Sequence, residues 1–212
     1  VARWLAAIIS TSAILRLGWS YIQKSRHENR LNGIKGHTII FGQGAAVQSY
    51  LNGHEPTDNG ETLVLLSANK TLTESWVQRG GLAVVIEDES VSQHNLTTAG
   101  LEKAAHLLLL DINDKHNLQV ALLAQSISTT PEIILRQDHP AIRDLIQRNE
   151  LSPKNTTRRL RIISIEVSRA RELFDRVPLE VTPRGLASEV HLAISGQGPF
   201  EQAAAVQAAL IG

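Results

Sequence analysis

The sequence contains no cysteine and no methionine, and each absence narrows what the chain can be. Without cysteine, disulfide bonds and thiolate metal sites are excluded. Because methionine is missing even at position 1, we expect the chain to be a piece of a longer protein or a processed product. Excess charge is missing too: 21 Lys and Arg balance 21 Asp and Glu, so composition gives no argument for a nucleic-acid partner.

Motifs for catalysis and for metal binding are also absent from the sequence. The eight histidines are scattered, without the HxxxH or HxH spacing of paired metal ligands, so we predict no metal site. Neither G-x-S-x-G nor Tyr-x-x-x-Lys occurs, and no acid/base pair stands out. We therefore predict no catalytic residues and expect that the chain is not an enzyme.

The first 22 residues are predicted to form a hydrophobic helix. Residues 4–22 are almost uncharged and are long enough to cross a bilayer, which takes roughly 20 apolar residues. Aromatic residues lie near both ends of this segment, and Arg16 interrupts it. We expect the helix to span the membrane or to lie on it; the alternative is an amphipathic helix packed on a partner. Residues 23–36 are polar and basic and are predicted to be a linker.

Beyond residue 36, short apolar runs alternate with amphipathic segments. Parallel strands joined by crossover helices have this pattern, so we predict an α/β fold: a Rossmann-like doubly wound parallel sheet preceded by the N-terminal hydrophobic helix. The predicted strands are residues 37–41, 62–66, 82–86, 106–110, 132–135 and 160–167. The predicted helices are residues 45–51, 71–79, 93–98, 114–126, 140–148 and 168–175, the last with Ser168 as its N-cap.

The first predicted strand leads into a glycine turn, Gly42-Gln43-Gly44, and then into a small, apolar helix that begins at Ala45. In dinucleotide-binding units the first two glycines let the backbone turn and approach a pyrophosphate, which lies on the helix N-terminus. Val47 stands at the position of the third glycine. The turn is a candidate phosphate site; the alternative is a strand-turn-helix that binds nothing.

The ends of the second and third predicted strands add candidate ligand residues. Ser67 stands where an Asp or Glu normally binds a ribose hydroxyl. Followed by Lys70, it can accommodate a phosphate instead, or it marks a pocket that no longer selects NAD. The acidic run 87–90 contains Asp88 and lies at the C-terminal edge of the third strand, where ligands bind in such sheets. The alternative for this run is a solvated acidic loop.

The spacing of these pieces resembles the RCK (TrkA-N) family, whose members regulate potassium channels and transporters. Asp88 stands at the family's Asp after the third strand, and Ala99-Gly100 match the end of the following helix. Asn117 and the Leu-Leu-Ala of residues 122–124 match the fourth helix. The resemblance covers residues 36–150.

The resemblance implies a Rossmann-like domain over residues 37–150 that senses a ligand without catalysis. The implied ligand is NAD(H) or another adenine nucleotide. The implied partners are further copies of the chain, in a dimer or ring, and a membrane pore domain, at the cytoplasmic face of a cell membrane. Gly42 and Gly44 would face the phosphates, and Asp88 would lie near the adenosine. The candidate cofactor-binding residues are Gly42, Gln43, Gly44, Ala45, Ser67, Lys70 and Asp88.

The C-terminal part of the sequence repeats the opening pattern. Residues 151–189 are predicted to be a connector with a strand and a short helix. Residues 190–212 are predicted to begin a second Rossmann-like unit, because a strand-like run at 191–195 precedes Gly196-Gln197-Gly198 and an Ala-rich helix follows. Glu201 stands at the third glycine position of this turn, where a carboxylate would repel a pyrophosphate.

Three functions are compatible with these patterns. The first is a nucleotide-sensing regulatory domain of a potassium channel or transport protein. The second is an assembly domain that binds no ligand. The third is a fragment of an NAD(P)-dependent oxidoreductase whose substrate domain is missing, and the altered fingerprint positions Val47, Glu87 and Ser67 argue against it.

Overall fold

The computed structural model describes residues 30–31, 33–58, 61–87, 90–148, 160–176 and 192–211. The predicted N-terminal helix over residues 1–22 and the candidate residue Asp88 lie outside the described residues. Among the helices that are described, none combines the length and the apolar character that crossing a membrane requires. The end of the predicted linker packs on the domain, because Leu31 is buried in the core.

The described strands form one mixed sheet that is almost entirely parallel. Six strands are parallel, in the order β4-β3-β1-β5-β6-β7, and β2 forms a short antiparallel pair with the start of β3. The chain therefore steps from β1 first to one side and then to the other, which is the doubly wound order of a Rossmann-like sheet. The predicted fold class is confirmed. The strands are β1 Thr38–Phe41, β2 Thr57–Asp58, β3 Glu61–Ser67, β4 Leu82–Val85, β5 His106–Leu109, β6 Glu132–Arg136 and β7 Leu160–Ile163.

The helices begin where side chains can satisfy the backbone N–H groups of a first turn. The side-chain oxygens of Asn69, Ser92 and Asn113 accept such bonds at the starts of three of them. These three starts agree with the sequence prediction within one residue. The helices are α1 Ala45–Asn52, α2 Lys70–Gln78, α3 Gln93–Thr98, α4 Asp114–Ile127, α5 Pro140–Gln147, α6 Ile165–Arg176 and α7 Pro199–Ile211.

Both faces of the sheet are buried, and successive residues of the central strands alternate between them. In β1, Ile39 and Phe41 join one hydrophobic cluster, and Ile40 joins the other. In β3, Val64 likewise faces the first cluster and Leu65 the second. Each fully buried side chain of this size contributes about 1.5–3 kcal/mol relative to an exposed one. Burial on both faces explains why these strands read as continuous apolar runs in the sequence.

Two sequence predictions near the C-terminus are wrong. The sixth parallel strand ends at Ile163 and not at residue 167, because Asp138 accepts hydrogen bonds from the Ser164 hydroxyl and from the Ile165 N–H and so starts α6 there. The cap of α6 is therefore Ser164, whose hydroxyl accepts from the Val167 N–H at 3.2 Å, and not Ser168.

The run that was predicted as the opening strand of a second unit is not a strand where it is described. Residues 192–197 have no strand pairing, and their side chains are exposed. A strand needs a neighbour for its backbone groups, and this segment has none among the described strands. The helix predicted after the second glycine turn is present as α7, which packs on α6 through Ala203 and Ala204 against Ala170 and Phe174.

Candidate functional site

Gly42 ends β1 in a conformation and a space that only glycine fits. Its φ is +136°, and a Cβ atom added there would lie 2.7 Å from the backbone nitrogen of Asp111 and 2.9 Å from its Cα. The Gly42 N–H donates to the carbonyl of Leu66 at 3.2 Å, so the turn is tied to the end of β3. After β1, the backbone at Gly42 therefore packs directly against Asp111, in the segment that follows β5.

Gly44 is the N-cap of α1, and no described residue fills the space beside it. Its backbone is extended, with φ −178°, and no atom lies within 4 Å of a Cβ built there. Ala45, the first residue of the helix, is exposed, and Gln43 is half-buried. The first N–H groups of a helix have no intrahelical partner and carry a partial positive charge. The glycine turn therefore presents an open helix N-terminus that suits an anion.

Val47, at the third fingerprint position, is part of the core. Its side chain is fully buried in the cluster that contains Ile40 and Leu110. One of its methyl groups lies 3.0 Å from the Cβ position of Gly42, on the packed side of the turn. Replacement of the third glycine by valine therefore fills the space between α1 and the sheet, whereas the space beside Gly44 stays open.

Ser67 lies next to the glycine turn, at the end of β3. The Ile86 N–H donates to the Ser67 carbonyl, which joins the ends of β3 and β4 at the same edge. The Ser67 side chain is buried, and its hydroxyl accepts from the Asn69 N–H at 3.2 Å. Lys70, the first residue of α2, is exposed. The structure thus brings the glycine turn, Ser67 and the start of α2 to one edge of the sheet.

Asp111 and Asn117 belong to this edge, and sequence reasoning did not include them among the candidate ligand residues. Asn117 is fully buried: its side-chain oxygen accepts from the Asp111 N–H at 3.0 Å, and its amide donates to the carbonyls of Asp111 at 2.8 Å and Arg136 at 3.2 Å. These bonds join the ends of β5 and β6 and hold the backbone of Asp111 against Gly42. Asp111, the polar residue directly after the apolar run 107–110, is the sequence signal for these hydrogen bonds.

A second polar network lies farther along the same edge. One oxygen of Asp114 accepts from the N–H groups of Asp138 and His139 and from the Gln137 side chain, each at 2.9 Å. Burial tends to raise the pKa of Asp138, but the adjacent Arg136, 2.7 Å away, and the Ser164 hydroxyl outweigh burial, so that pKa lies below its usual value. The Asp138 carboxylate is therefore charged and fully engaged in joining β6, β7 and α6.

The second glycine turn is occupied by a side chain of its own helix. Gly196 has φ +135°, and Cβ atoms built on Gly196 and Gly198 would lie 2.7 Å and 2.5 Å from Glu201 side-chain atoms. Glu201 is in the first turn of α7, where a carboxylate is favourable for the helix dipole. The two glycine turns therefore differ, because the first is open and the second is covered by a carboxylate.

The part of the chain that contains strands β1 to β6 matches a known family. The family model of the TrkA-N domain matches residues 38–152. The chain belongs to the TrkA-N family. The resemblance that the sequence motifs carry is thus confirmed over the sheet that presents the open glycine turn. The search of curated proteins found no significant match.

Solved structures of TrkA-N and RCK domains share this fold. The TrkA-N domain of the inner membrane protein ybaL from Escherichia coli is 20% identical, with a TM-score of 0.55, over 68% of this chain and 98% of that one. The structure of GsuK bound to ADP is 19% identical, with a TM-score of 0.57, over 82% of this chain and 41% of that one. The GsuK channel bound to NAD is 17% identical, with a TM-score of 0.52, over 66% and 23%. This chain therefore spans less than half of the GsuK chains.

Proposed function

We propose that this chain is a nucleotide-binding regulatory domain of a potassium channel or transport protein. The observation that carries the proposal is the open helix N-terminus at Gly44, which lies at the sheet edge where Rossmann-like domains bind ligands. The proposal is supported by related structures, in which GsuK is bound to ADP and to NAD. An adenine nucleotide, NAD(H) or a related compound, is the proposed ligand.

The proposed binding mode follows from the described residues. Phosphate groups lie on the N–H groups at the start of α1, where Gln43, Gly44 and Ala45 line the open side of the turn. Ser67 and Lys70 would face the ribose side; Asp88 lies outside the described residues and would lie near the adenosine by family resemblance alone. Ligand binding then favours one arrangement of packed domains over another, and differential affinities of about 1–3 kcal/mol are typical of such coupling.

The proposed partners are further copies of the chain, in a dimer or ring, and a membrane pore at the cytoplasmic face. The pore partner is supported by the GsuK channel, of whose chains this chain spans only 41% and 23%, so that most of each chain forms other parts. The dimer or ring rests on the family resemblance. Sedimentation of the purified chain with and without nucleotide tests the homo-oligomer. A monomer at all concentrations, with no effect on flux through the parent membrane protein, would refute the regulatory proposal.

Thermal unfolding with a panel of NAD, NADH, NADP, ATP, ADP and AMP tests the ligand. A compound that binds only the folded state adds about 2.7 kcal/mol of stability at a hundredfold excess over its dissociation constant. Gly44→Asp is expected to abolish the shift, because it places a carboxylate where the phosphates would lie. Gly33→Asp is the matched control, since it adds the same charge before β1, where nothing lies within 4 Å of the new Cβ.

The outcome also separates the alternatives. A shift that Gly44→Asp removes and Gly33→Asp keeps supports the nucleotide site. No shift with any compound favours the assembly domain that binds no ligand. A shift accompanied by hydride transfer in a longer chain would favour the oxidoreductase fragment instead.

A further inference from the structure

A cavity lies beside β7, the last strand on one side of the sheet. It has a volume of about 620 Å³, is open to solvent on one side, and is lined mainly by residues of β7, α5, α6 and α7. In the sheet, β5 and β6 separate β7 from β1, so this cavity is distinct from the first glycine turn. Its volume falls within the range of about 300–1,000 Å³ that small-molecule sites occupy.

Three arginines that line this cavity have no partner among the described residues. Arg143 of α5, Arg161 of β7 and Arg171 of α6 form no side-chain ion pair or hydrogen bond with the residues that the structure describes. Their neighbours differ: Arg169 and Arg176, also on α6, are paired with Glu166 and Glu172. The cavity therefore concentrates positive charge that the described part of the protein leaves uncompensated.

The acidic residue in the cavity lining does not neutralise these arginines. Asp138 gives its oxygens to Arg136, to the Ser164 hydroxyl and to the backbone N–H groups at the start of α6. Gln202 and Gln207 of α7 add amide groups to the lining. The lining thus supplies guanidinium and amide donors for an anion.

Exposed apolar side chains of α7, together with residues of β7, form an apolar wall of the cavity. α7 contacts α6 through two alanines, while its larger side chains Val206 and Leu210 line the cavity and remain 58% and 73% exposed. Ile162 and Ile163 of β7 add further apolar surface. An occupant would gain by covering this wall, because each Å² of apolar surface removed from water contributes about 25 cal/mol.

We propose that this cavity binds a small organic phosphate with an apolar or aromatic body. Guanidinium groups bind phosphate through paired hydrogen bonds, and arginines of three elements line this cavity. The apolar body would cover Val206 and Leu210. Because the ligand would contact both β7 and α7, its binding would also fix α7 on the domain. This proposal does not depend on nucleotide binding at the first turn.

Calorimetric titration of the full chain with phenyl phosphate and with inorganic phosphate tests the site. Phenyl phosphate is expected to bind more tightly than inorganic phosphate, since it alone covers the apolar wall. Arg161→Gln combined with Arg171→Gln is expected to lower the affinity by about tenfold or more, which is 1.4 kcal/mol or more. Arg169→Gln combined with Arg176→Gln is the matched control, because these arginines lie on α6 and are ion-paired.

Gly44→Asp separates this cavity from the first glycine turn and is expected to leave phenyl phosphate binding unchanged. Amide exchange of α7 provides a second measurement, and phenyl phosphate is expected to slow it in the wild type but not in the Arg161→Gln, Arg171→Gln variant. The proposal is overturned if millimolar phenyl phosphate does not bind, if both double variants lose affinity equally, or if Gly44→Asp abolishes binding.

Discussion

At the scale of the residue, Gly42 is the position that tolerates least. A side chain there would combine a φ of +136° with a contact 2.7 Å from the Asp111 backbone. We expect Gly42→Ala to destabilise the domain by roughly 1–3 kcal/mol, since strained backbone conformations of this kind cost that much. Urea unfolding measures the change.

The control for that prediction is Gly44→Ser. Gly44 is extended, has no atom within 4 Å of a built Cβ, and caps α1, where serine is a preferred residue. We expect this variant to be as stable as the wild type or more stable. Equal stability of Gly42→Ala and the wild type would contradict the packing described for the turn.

His37 is a buried histidine that makes stability depend on pH. Its Nε2 donates to the Ala99 carbonyl at 2.8 Å, and burial, only partly opposed by that bond, lowers its pKa below 6.5. As pH falls below 6.5 the unfolded chain binds a proton that the folded one does not, so stability declines until the folded pKa is passed.

We therefore expect His37→Gln to weaken the loss of stability between about pH 7.5 and pH 5, measured by urea unfolding at each pH. His94→Gln is the control, because His94 is exposed. An unchanged pH dependence in His37→Gln would show that this histidine is not the source. The role of His37 does not follow from the sequence, since its partner is Ala99, far away along the chain.

At the scale of the element, the Asn117 side chain joins the ends of β5 and β6. Asn117→Leu keeps the size of the side chain and removes three hydrogen bonds, which leaves the Asp111 N–H and two carbonyls without partners. We expect a loss of roughly 3 kcal/mol or more in the free energy of unfolding, because each of the three buried unsatisfied groups costs about 1–3 kcal/mol.

Asn113→Ala is the comparison for that variant, and thermal unfolding measures the stability of both. It removes the cap of α4, which accepts from the N–H groups of Lys115 and His116, and is expected to cost about 1 kcal/mol. If Asn117→Leu lowers the stability no more than Asn113→Ala does, the structural role given to the Asn117 hydrogen bonds is contradicted.

The elements show which local patterns decide structure and which do not. The central strands could be predicted, because burial on both faces makes them continuous apolar runs. The start of α6 could not, because Ile-Ser-Ile-Glu-Val alternates like a strand, and only the distant Asp138 turns it into a helix start. The strand expected at 191–195 failed where it is described because no neighbouring strand pairs with it.

At the scale of the whole molecule, the two glycine turns differ in whether a side chain covers them. The sequence repeat predicted both turns and the helices after them. In the structure Glu201 covers the second turn, whereas no described atom lies within 4 Å of a Cβ built on Gly44 in the first. Val47 and Glu201 stand at the same position of the motif, but Val47 packs in the core and Glu201 lies against its glycine turn. The motif alone does not predict this difference, because the direction of each side chain depends on its packing. The proposed nucleotide site is therefore the first turn alone.

Backbone amide NMR of the chain during titration with ADP and with NAD tests this claim most directly. The account predicts the largest chemical-shift changes at Gly44, Ala45 and the following residues of α1, with little change at residues 196–201. Shifts centred on the second glycine turn, or no shift anywhere at millimolar ADP or NAD, would contradict it.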